Sequence, residues 1–148
     1  MRKILIFILT IVLLATYLAG FEIGVVTRVV DGDTFLVSIN KEIPLYVRLL
    51  GCDTPESVKR GTPVEEGAIE ASDFTKQLTG KQIILTYDED HKTDFFKRIL
   101  GYVWVEVENG QIICWNIELI KEGHSDLYTK YKFNGLKWFK EVLKNEND

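Results

Sequence analysis

Three carboxylates and two arginines stand at positions where their side chains could do chemistry together. Asp33 follows an Asp-Gly pair, Asp53 and Glu56 belong to an Asp-Thr-Pro-Glu segment, and Arg48 and Arg98 lie within or at the start of apolar runs. A guanidinium within an apolar strand needs an anionic partner, because burying an unpaired charge is costly. Carboxylate oxygens bind hard divalent cations, and arginines bind anions such as phosphate. The set therefore suits a site that combines a cation, a water molecule and an anionic group.

Each of these signals also has a plain structural explanation. Asp31 and Asp33 could be solvated residues on the two sides of a hairpin turn at Gly32. Arg48 could form a purely structural ion pair with a carboxylate. For any one of these signals alone, the structural explanation is sufficient. The joint occurrence of all the signals in this order is much more specific.

The overall charge limits how the chain could bind a polyanion. The formal net charge is -4 for 148 residues, and without the first segment, which carries Arg2 and Lys3, 16 basic residues face 22 acidic ones, which gives -6. A protein that binds nucleic acid through charge alone is strongly basic. Any attraction for a polyanion must therefore be local or come from a bound cation. The length and the ordinary balance of 46% hydrophobic and 27% charged residues fit one globular domain.

The first twenty residues have the pattern of an export signal. Met1-Arg2-Lys3 is a short basic start, and residues 4–18 are apolar except at Thr10, Thr16 and Tyr17. The apolar stretch is shorter than the roughly 20 residues that span a bilayer comfortably. We expect residues 1–20 to be a signal peptide or an uncleaved N-terminal membrane anchor, and residues 21–148 to form an exported domain.

The mature part is rich in short β-type runs. Residues 23–30 and Thr34–Ile39 predict a hairpin around Asp31-Gly32, where glycine would supply a positive φ. Strands in quick succession with a helix after the third favour an α+β, β-rich fold: an OB-fold, a five-stranded Greek-key barrel, with three packed helices. The remaining predicted elements are strands at 43–50, Gln82–Tyr87 and 98–107, and helices at 64–78, at 116–122 and around Leu136, Phe139 and Leu143.

These motifs together resemble the staphylococcal-nuclease-like, or thermonuclease, domain family. The resemblance lies in Val-Asp-Gly-Asp-Thr at 30–34, Val-Arg-Leu-Leu at 47–50 and Asp-Thr-Pro-Glu at 53–56. It extends over about residues 25–131 and includes Thr93-Asp94 with Arg98, and Asn116 in the short helix. It implies a calcium-dependent nuclease that hydrolyses phosphodiester bonds of DNA and RNA and leaves 3′-phosphates.

The resemblance also implies a role for each residue of the set. Asp33 and Asp53 would give carboxylates to Ca²⁺, and the backbone carbonyl of Thr54 would give a further oxygen, which suits the oxygen preference of calcium. Glu56 would be the general base or would orient the attacking water. The remaining two catalytic residues, which would grip the phosphate and stabilise the five-coordinate transition state, are Arg48 and Arg98.

Substrate binding follows the family pattern less closely. Phe96 stands where the family has tyrosine and Lys97 where it has glycine, so no hydroxyl is present there for a terminal phosphate. Tyr131 matches a family position, whereas Tyr128 lies one residue away from the other. Aromatic rings at these positions could stack on bases or pack in the core. The implied substrate-binding residues are Phe96, Lys97, Tyr128 and Tyr131.

Two alternatives remain open at this point. The domain could be a catalytically weak OB-fold module that binds nucleic acid, tethered to a membrane by the N-terminal segment. Cys52 and Cys114, both in apolar surroundings, could be buried free thiols or a disulfide. The resemblance implies no protein partner, and we expect a monomer whose contact with a membrane is limited to the N-terminal segment.

Overall fold

The computed structural model describes residues 20–57, 61, 63–88 and 92–145. The expected signal or anchor falls almost wholly on residues 1–19, outside this described part. Among the described residues, no helix has the length and apolarity needed to cross a membrane.

Eight strands and three helices make up the described chain. In chain order they are β1 (Phe21–Asp31), β2 (Thr34–Ile39), β3 (Leu45–Leu49), β4 (Cys52–Asp53), α1 (Ala68–Lys76), β5 (Gln82–Tyr87), β6 (Ile99–Glu106), β7 (Ile112–Cys114), α2 (Trp115–Lys121), β8 (Asp126–Leu127) and α3 (Leu136–Asn145). The main sheet has the order β3-β2-β1-β5-β6-β7, and a parallel β3–β6 pairing closes five of its strands into a barrel. The predicted OB-fold barrel with three helices is confirmed.

Two apolar clusters hold these layers together. The barrel interior is filled by alternate strand residues, including Val26, Phe35, Val47, Leu85 and Val103, each with no more than about 1% of its surface exposed. A second cluster packs α3 against the outside of β6, with Phe139 fully buried beside the rings of Tyr102 and Phe133. The barrel thus has its own interior core, and α3 packs on the outside of the barrel through the second cluster.

Several predicted bounds agree with the structure and others shift. Thr34–Ile39 and Gln82–Tyr87 are strands as predicted. The first long helix begins at Ala68, not at 64, because Gly67 adopts a left-handed φ of 82° just before it. The short strands β4, β7 and β8 were not predicted. They are only two or three residues long, too short for an alternating pattern to be visible.

The hairpin at Gly32 is present, but the predicted reason for the glycine is wrong. Gly32 does not adopt a left-handed conformation. A Cβ at this position would instead lie 2.8 Å from the Cβ of Ala71 and 2.9 Å from the Cγ2 of Thr54. The carbonyl of Gly32 also accepts a hydrogen bond from Thr75 Oγ1. Glycine is needed because the turn lies directly against α1 and the segment after β4.

Asn116 fixes the segment that follows β3. It is fully buried, and its Oδ1 accepts the backbone N–H of Val103 at 2.9 Å. Its Nδ2 donates to the carbonyls of Leu50 at 2.9 Å and Gly101 at 3.0 Å. One side chain thus joins α2 to β6 and to the chain just before β4.

Both cysteines are free and buried. The structure therefore agrees with the buried-thiol interpretation and not with a disulfide. Burial raises the pKa of Cys114 to about 11 and the pKa of Cys52 well above its ordinary value.

Candidate active site

Asp33 is the most buried carboxylate of the predicted set, with 2% of its surface exposed. Its Oδ1 accepts hydrogen bonds from Thr34 Oγ1 at 2.9 Å and Arg48 Nη1 at 2.8 Å, and its Oδ2 accepts the backbone N–H of Thr54 at 3.1 Å. The β2–β3 register explains the contact with arginine, because Thr34 pairs directly with Arg48. Burial raises the pKa of Asp33, while the positive charge of Arg48 opposes that rise.

Arg48 also reaches the second aspartate. Its Nη2 contacts Asp53 Oδ1 at 3.2 Å, so one guanidinium bridges Asp33 and Asp53. Asp53 is held by the short β4–β8 pair, in which it lies opposite Asp126, and its backbone N–H donates to Ser125 Oγ at 2.9 Å. The two predicted metal-binding aspartates thus face a common point, one buried and one exposed.

The loop that carries Glu56 is tied to the same hairpin. The backbone N–H and the hydroxyl of Ser57 both donate to Asp31 Oδ1, the former at 3.0 Å. The backbone N–H of exposed Glu56 donates to Glu65 Oε2 at 3.0 Å. Asp31 therefore does more than form the turn: it connects the turn that carries Asp33 to the loop that carries Glu56.

Arg98 lies just before β6 and is fixed by Asp94. Asp94 accepts the backbone N–H of Arg98 at 2.9 Å and its Nε–H at 2.7 Å. The chain between them makes a tight turn in which Lys97 has a positive φ of 60°. This turn exposes 95% of Phe95 and 75% of Phe96, and the Phe96 ring lies 5.3 Å from the Arg98 guanidinium carbon.

Arg48 lies on β3, and Arg98 directly precedes the neighbouring strand β6. The parallel β3–β6 register pairs Arg48 with Leu100, two positions after Arg98. Side chains two positions apart on a strand share a face, and strand spacing puts the two arginine Cα atoms about 8 Å apart. Val47 and Leu49 point into the barrel, so the side chain of Arg48 between them points out of it.

The two predicted tyrosines lie beside the strand of Asp53. Tyr128 donates its backbone N–H to the carbonyl of Gly51 at 2.9 Å. Its ring centroid is 5.7 Å from that of Tyr131, which is 71% exposed, so Tyr131 is not a core residue. Lys130 places its ammonium 5.7 Å from the Tyr128 ring centroid.

The carboxylate and carbonyl oxygens around Arg48 are of the type that a hard cation binds, but they are too few to complete its coordination. Asp33 and Asp53 converge on one guanidinium, and the hydrogen bond from Thr54 to Asp33 brings that peptide alongside. In the described part of the chain, however, no three His, Cys, Asp or Glu residues gather into a metal centre. A cation at this point would be held by two carboxylates, with backbone carbonyl and water oxygens completing its coordination.

Sequence reasoning missed several residues that position this site. Ser125 carries no local signal and becomes visible only through the β4–β8 pairing. Ser57 and Glu65 were unremarkable loop residues whose partners lie elsewhere in the chain. Phe95 was visible as an apolar residue in a polar turn, and this signal could have identified it as exposed.

The fold and site define a class: an OB barrel in which a buried aspartate pairs with an arginine, with a second arginine at the start of the neighbouring strand and a carboxylate-bearing loop nearby. Comparison with known proteins agrees. Residues 46–147 match the family described as staphylococcal nuclease homologue, and the chain belongs to this family. The resemblance inferred from the sequence is confirmed.

Named relatives come from several bacteria. The chain is 44% identical over 99 residues to a thermonuclease of Staphylococcus hyicus, covering 66% of this chain and 54% of the relative. It is 43% identical over 103 residues to a thermonuclease of Staphylococcus intermedius, covering 69% and 57%. It is 32% identical over 122 residues to the SPbeta prophage-derived endonuclease YokF of Bacillus subtilis, covering 82% and 39%. The chain thus spans roughly half the length, or less, of these curated relatives.

Proposed function

We propose that this chain is a calcium-dependent nuclease that hydrolyses phosphodiester bonds of DNA and RNA and leaves 3′-phosphates. The observation that carries the proposal is the bridge from Arg48 to both Asp33 and Asp53, next to the loop of Glu56 and to Arg98 just before the neighbouring strand. Relatives named thermonuclease and endonuclease support it.

The metal would be held by Asp33, Asp53 and the carbonyl of Thr54. When bound, calcium would supply positive charge that draws the phosphodiester to the site and stabilises negative charge on its oxygens. The acidic net charge of the chain then ceases to be an obstacle, because the attraction is concentrated at the reacting phosphate.

Glu56 would take a proton from the attacking water or orient that water. The water oxygen forms a bond to phosphorus, and the bond from phosphorus to the 5′-oxygen breaks. One product then carries the 3′-phosphate, and the other carries a 5′-hydroxyl after its oxygen takes up a proton. The exposure of Glu56 on a loop anchored at Ser57 suits a carboxylate that must meet a large polymer.

Arg98 would bind the phosphate oxygens and stabilise the extra charge of the transition state. Arg48, whose Nη1 and Nη2 donate to Asp33 and Asp53, would do the same once those carboxylates hold calcium in its place. The Asp94 contact uses the backbone N–H and Nε of Arg98, so the two terminal nitrogens are not engaged by it. A planar guanidinium held in this way can donate to two phosphate oxygens at once. Arg98 is therefore oriented before substrate arrives.

Binding of the flanking nucleotides would fall to Phe96, Lys97, Tyr128 and Tyr131. Exposed aromatic rings stack on unpaired bases with little sequence preference. Phe96 and Tyr131 are 75% and 71% exposed, so both rings are accessible to a base. Exposed Lys97 adds a cation next to Phe96.

We expect the chain to be exported. Residues 1–20 would act as a signal peptide or membrane anchor, and residues 21–148 would form the nuclease domain, working as a monomer without a protein partner. Mass spectrometry of chain recovered from the medium and from the membrane fraction measures whether the segment before Phe21 is retained.

The rival function is a nucleic-acid-binding module without catalysis. The purified chain is incubated with single-stranded DNA, double-stranded DNA and RNA, with calcium or with excess chelator. The proposal predicts cleavage with calcium, none with chelator, and 3′-phosphate ends on the products. Arg98→Ala should abolish most cleavage, whereas Arg28→Ala, at an exposed arginine of β1, should not. Binding that needs no calcium and leads to no cleavage would refute the nuclease and support the nucleic-acid-binding module.

A further inference from the structure

The barrel has an apolar outer face on the side away from its core. In the β1–β5–β6 register, Ile23 pairs with Ile84, and Ile84 pairs with Trp104. Their chain neighbours Ile83 and Val103 point into the barrel, so this row points outward. Ile23 is 47% exposed.

Two grooves join this row to α3. They share Thr86 and Trp104, so they form one continuous surface. Trp104 stacks on Trp138 of α3 with ring centroids 5.8 Å apart. We call this surface the outer apolar face, and its members are Phe21, Ile23, Ile84, Trp104, Ile112 and Trp138.

The outer apolar face is unsuited to nucleic acid. Among the described residues that line the two grooves, the one charged side chain is Asp88. It is 3% exposed and already accepts hydrogen bonds from the Tyr102 hydroxyl and the backbone N–H of Asn134. Meanwhile Ile112 is 59% exposed and Trp138 is 38% exposed. The exposed carboxylate of Glu106, opposite Ile112 in the β6–β7 register, lies at the end of this surface away from Phe21. A contiguous apolar surface marks contact with an apolar partner.

The chain leads directly from its most apolar segment into this face. Residues 4–18 are almost wholly apolar, and only Ala19 and Gly20 separate them from Phe21, the first residue of β1 and a member of the face. The three steps from residue 18 to Phe21 span at most about 11 Å. A bilayer that holds residues 4–18 therefore lies next to the end of the sheet that carries Phe21. Tryptophan side chains are enriched at this depth, at the boundary between headgroups and acyl chains.

We propose that the chain retains its N-terminal segment and that the outer apolar face rests on the lipid surface into which that segment inserts. The strand β1 leads from this face at Phe21 to Asp31, the hairpin residue beside Asp33, over 11 residues, and it bends at irregularities after Val26 and Val29. The lipid contact and the candidate site thus lie at opposite ends of one strand. This arrangement leaves the site open to a dissolved polymer, and it does not depend on the proposed nuclease activity.

The tryptophans provide a direct test. The chain has three, Trp104, Trp115 and Trp138, and none lies before Phe21, so their fluorescence reports on the domain and not on the inserted segment. Full-length chain is reconstituted in vesicles of phosphatidylcholine and phosphatidylglycerol whose acyl chains carry bromine near the headgroups. We expect the bromine to quench Trp104 and Trp138. Trp115, 4% exposed in the core, should stay bright, so quenching should disappear in the double variant Trp104→Phe/Trp138→Phe.

A matched pair of charge variants tests the face itself. Ile112 in the face and Ile69 on α1 are both 59% exposed, so a glutamate at either position stays in contact with water. At 112 it would also lie opposite Glu106, so the fold of this variant has to be measured. Ile112→Glu should abolish the quenching, and Ile69→Glu should leave it unchanged. Near-ultraviolet circular dichroism confirms that both variants are folded.

Three results would overturn the proposal. The first is a vesicle-bound wild-type chain whose emission bromine does not quench. The second is mass spectrometry that finds, in cells and medium, only chains lacking the segment before Phe21. The third is an Ile112→Glu effect on a concentration-dependent dimer in the absence of lipid, which would assign the face to a second copy. Failure of nucleic acid cleavage would refute the proposed function and leave this quenching result unaffected.

Discussion

Asp94 holds Arg98 through two separate hydrogen bonds, one to the backbone N–H at 2.9 Å and one to Nε at 2.7 Å. The first closes the turn that ends at the arginine, and the second orients its guanidinium. Asp94 is thus a positioning residue for the proposed catalytic residue Arg98. A substitution of Asp94 should therefore lower kcat only in a chain that still has Arg98.

A double-mutant cycle measures this dependence. Removing a preorganised donor to the transition state costs about 10²–10³ in kcat, and we expect Arg98→Ala to fall in that range. Asp94→Ala should lower kcat less, and adding it to Arg98→Ala should lower kcat no further. Asp73→Ala, which removes an exposed aspartate paired with Lys76, is the control. Additive losses would show that Asp94 acts on something other than Arg98.

Phe96 should limit affinity for a terminal phosphate, because it brings an exposed ring but no hydroxyl. Phe96→Tyr adds a donor worth about 0.5–1.5 kcal/mol, or roughly 2–10-fold in affinity. We expect tighter binding of an oligonucleotide with a terminal phosphate, and little change without it. Phe95→Tyr, on the neighbouring exposed ring, controls for a general gain in polarity. Equal effects of Phe96→Tyr on both oligonucleotides would refute the prediction.

Asp33 should make the fold less stable as the pH rises. Burial raises its pKa above the ordinary value of 3.8, so the folded chain holds the proton more tightly than the unfolded chain does. The corresponding stability is present below the unfolded pKa and is lost as the pH rises through the folded pKa. Asp33→Asn does not titrate. Its free energy of unfolding relative to wild type should therefore shift in favour of the variant as the pH rises from about 3 towards neutrality.

Urea unfolding at a series of pH values measures that shift. Asp73→Asn, at an exposed aspartate paired with Lys76, is measured alongside as the control. A shift in favour of wild type over the same pH range would mean that the ion pair with Arg48 outweighs burial at Asp33.

Asn116 should be essential for stability. Asn116→Ala would leave the N–H of Val103 and the carbonyls of Leu50 and Gly101 without their side-chain partner. The Gly101 carbonyl keeps the backbone N–H of Leu50, whereas the other two groups would be left unsatisfied. Each such buried group costs about 1–3 kcal/mol, so we expect a loss of about 2 kcal/mol or more in the free energy of unfolding. Asn109→Ala, in an exposed turn, is the matched control. A loss close to that of the control would refute the prediction.

The sequence predicted correctly those features that depend on a local pattern of residues. β2 and β5 have the predicted bounds, because their branched and aromatic residues alternate over six positions. Asp33 and Arg48, predicted to belong to one site, are in contact because the β2–β3 register places Thr34 opposite Arg48. Asp53, predicted with them, reaches Arg48 from the β4–β8 pair.

Long-range features could not be predicted in this way. The role of Gly32 depends on Ala71 and Thr54, which approach it only in the folded chain. The support of Asp53 by Ser125 spans 72 positions and depends on two-residue strands. Neither has a local pattern, since both arise from packing between distant segments.

We expect the carboxylate of Glu56 to take part in phosphodiester hydrolysis beside a cation held by Asp33 and Asp53. Glu56→Gln keeps the size of the side chain and removes its basicity. General acid–base catalysis contributes about 10²–10⁴-fold. We therefore expect single-turnover cleavage of DNA in calcium to slow by that factor while DNA binding is retained and Glu108→Gln, at an exposed turn position, stays at the wild-type rate. Cleavage by Glu56→Gln at the wild-type rate would contradict the account.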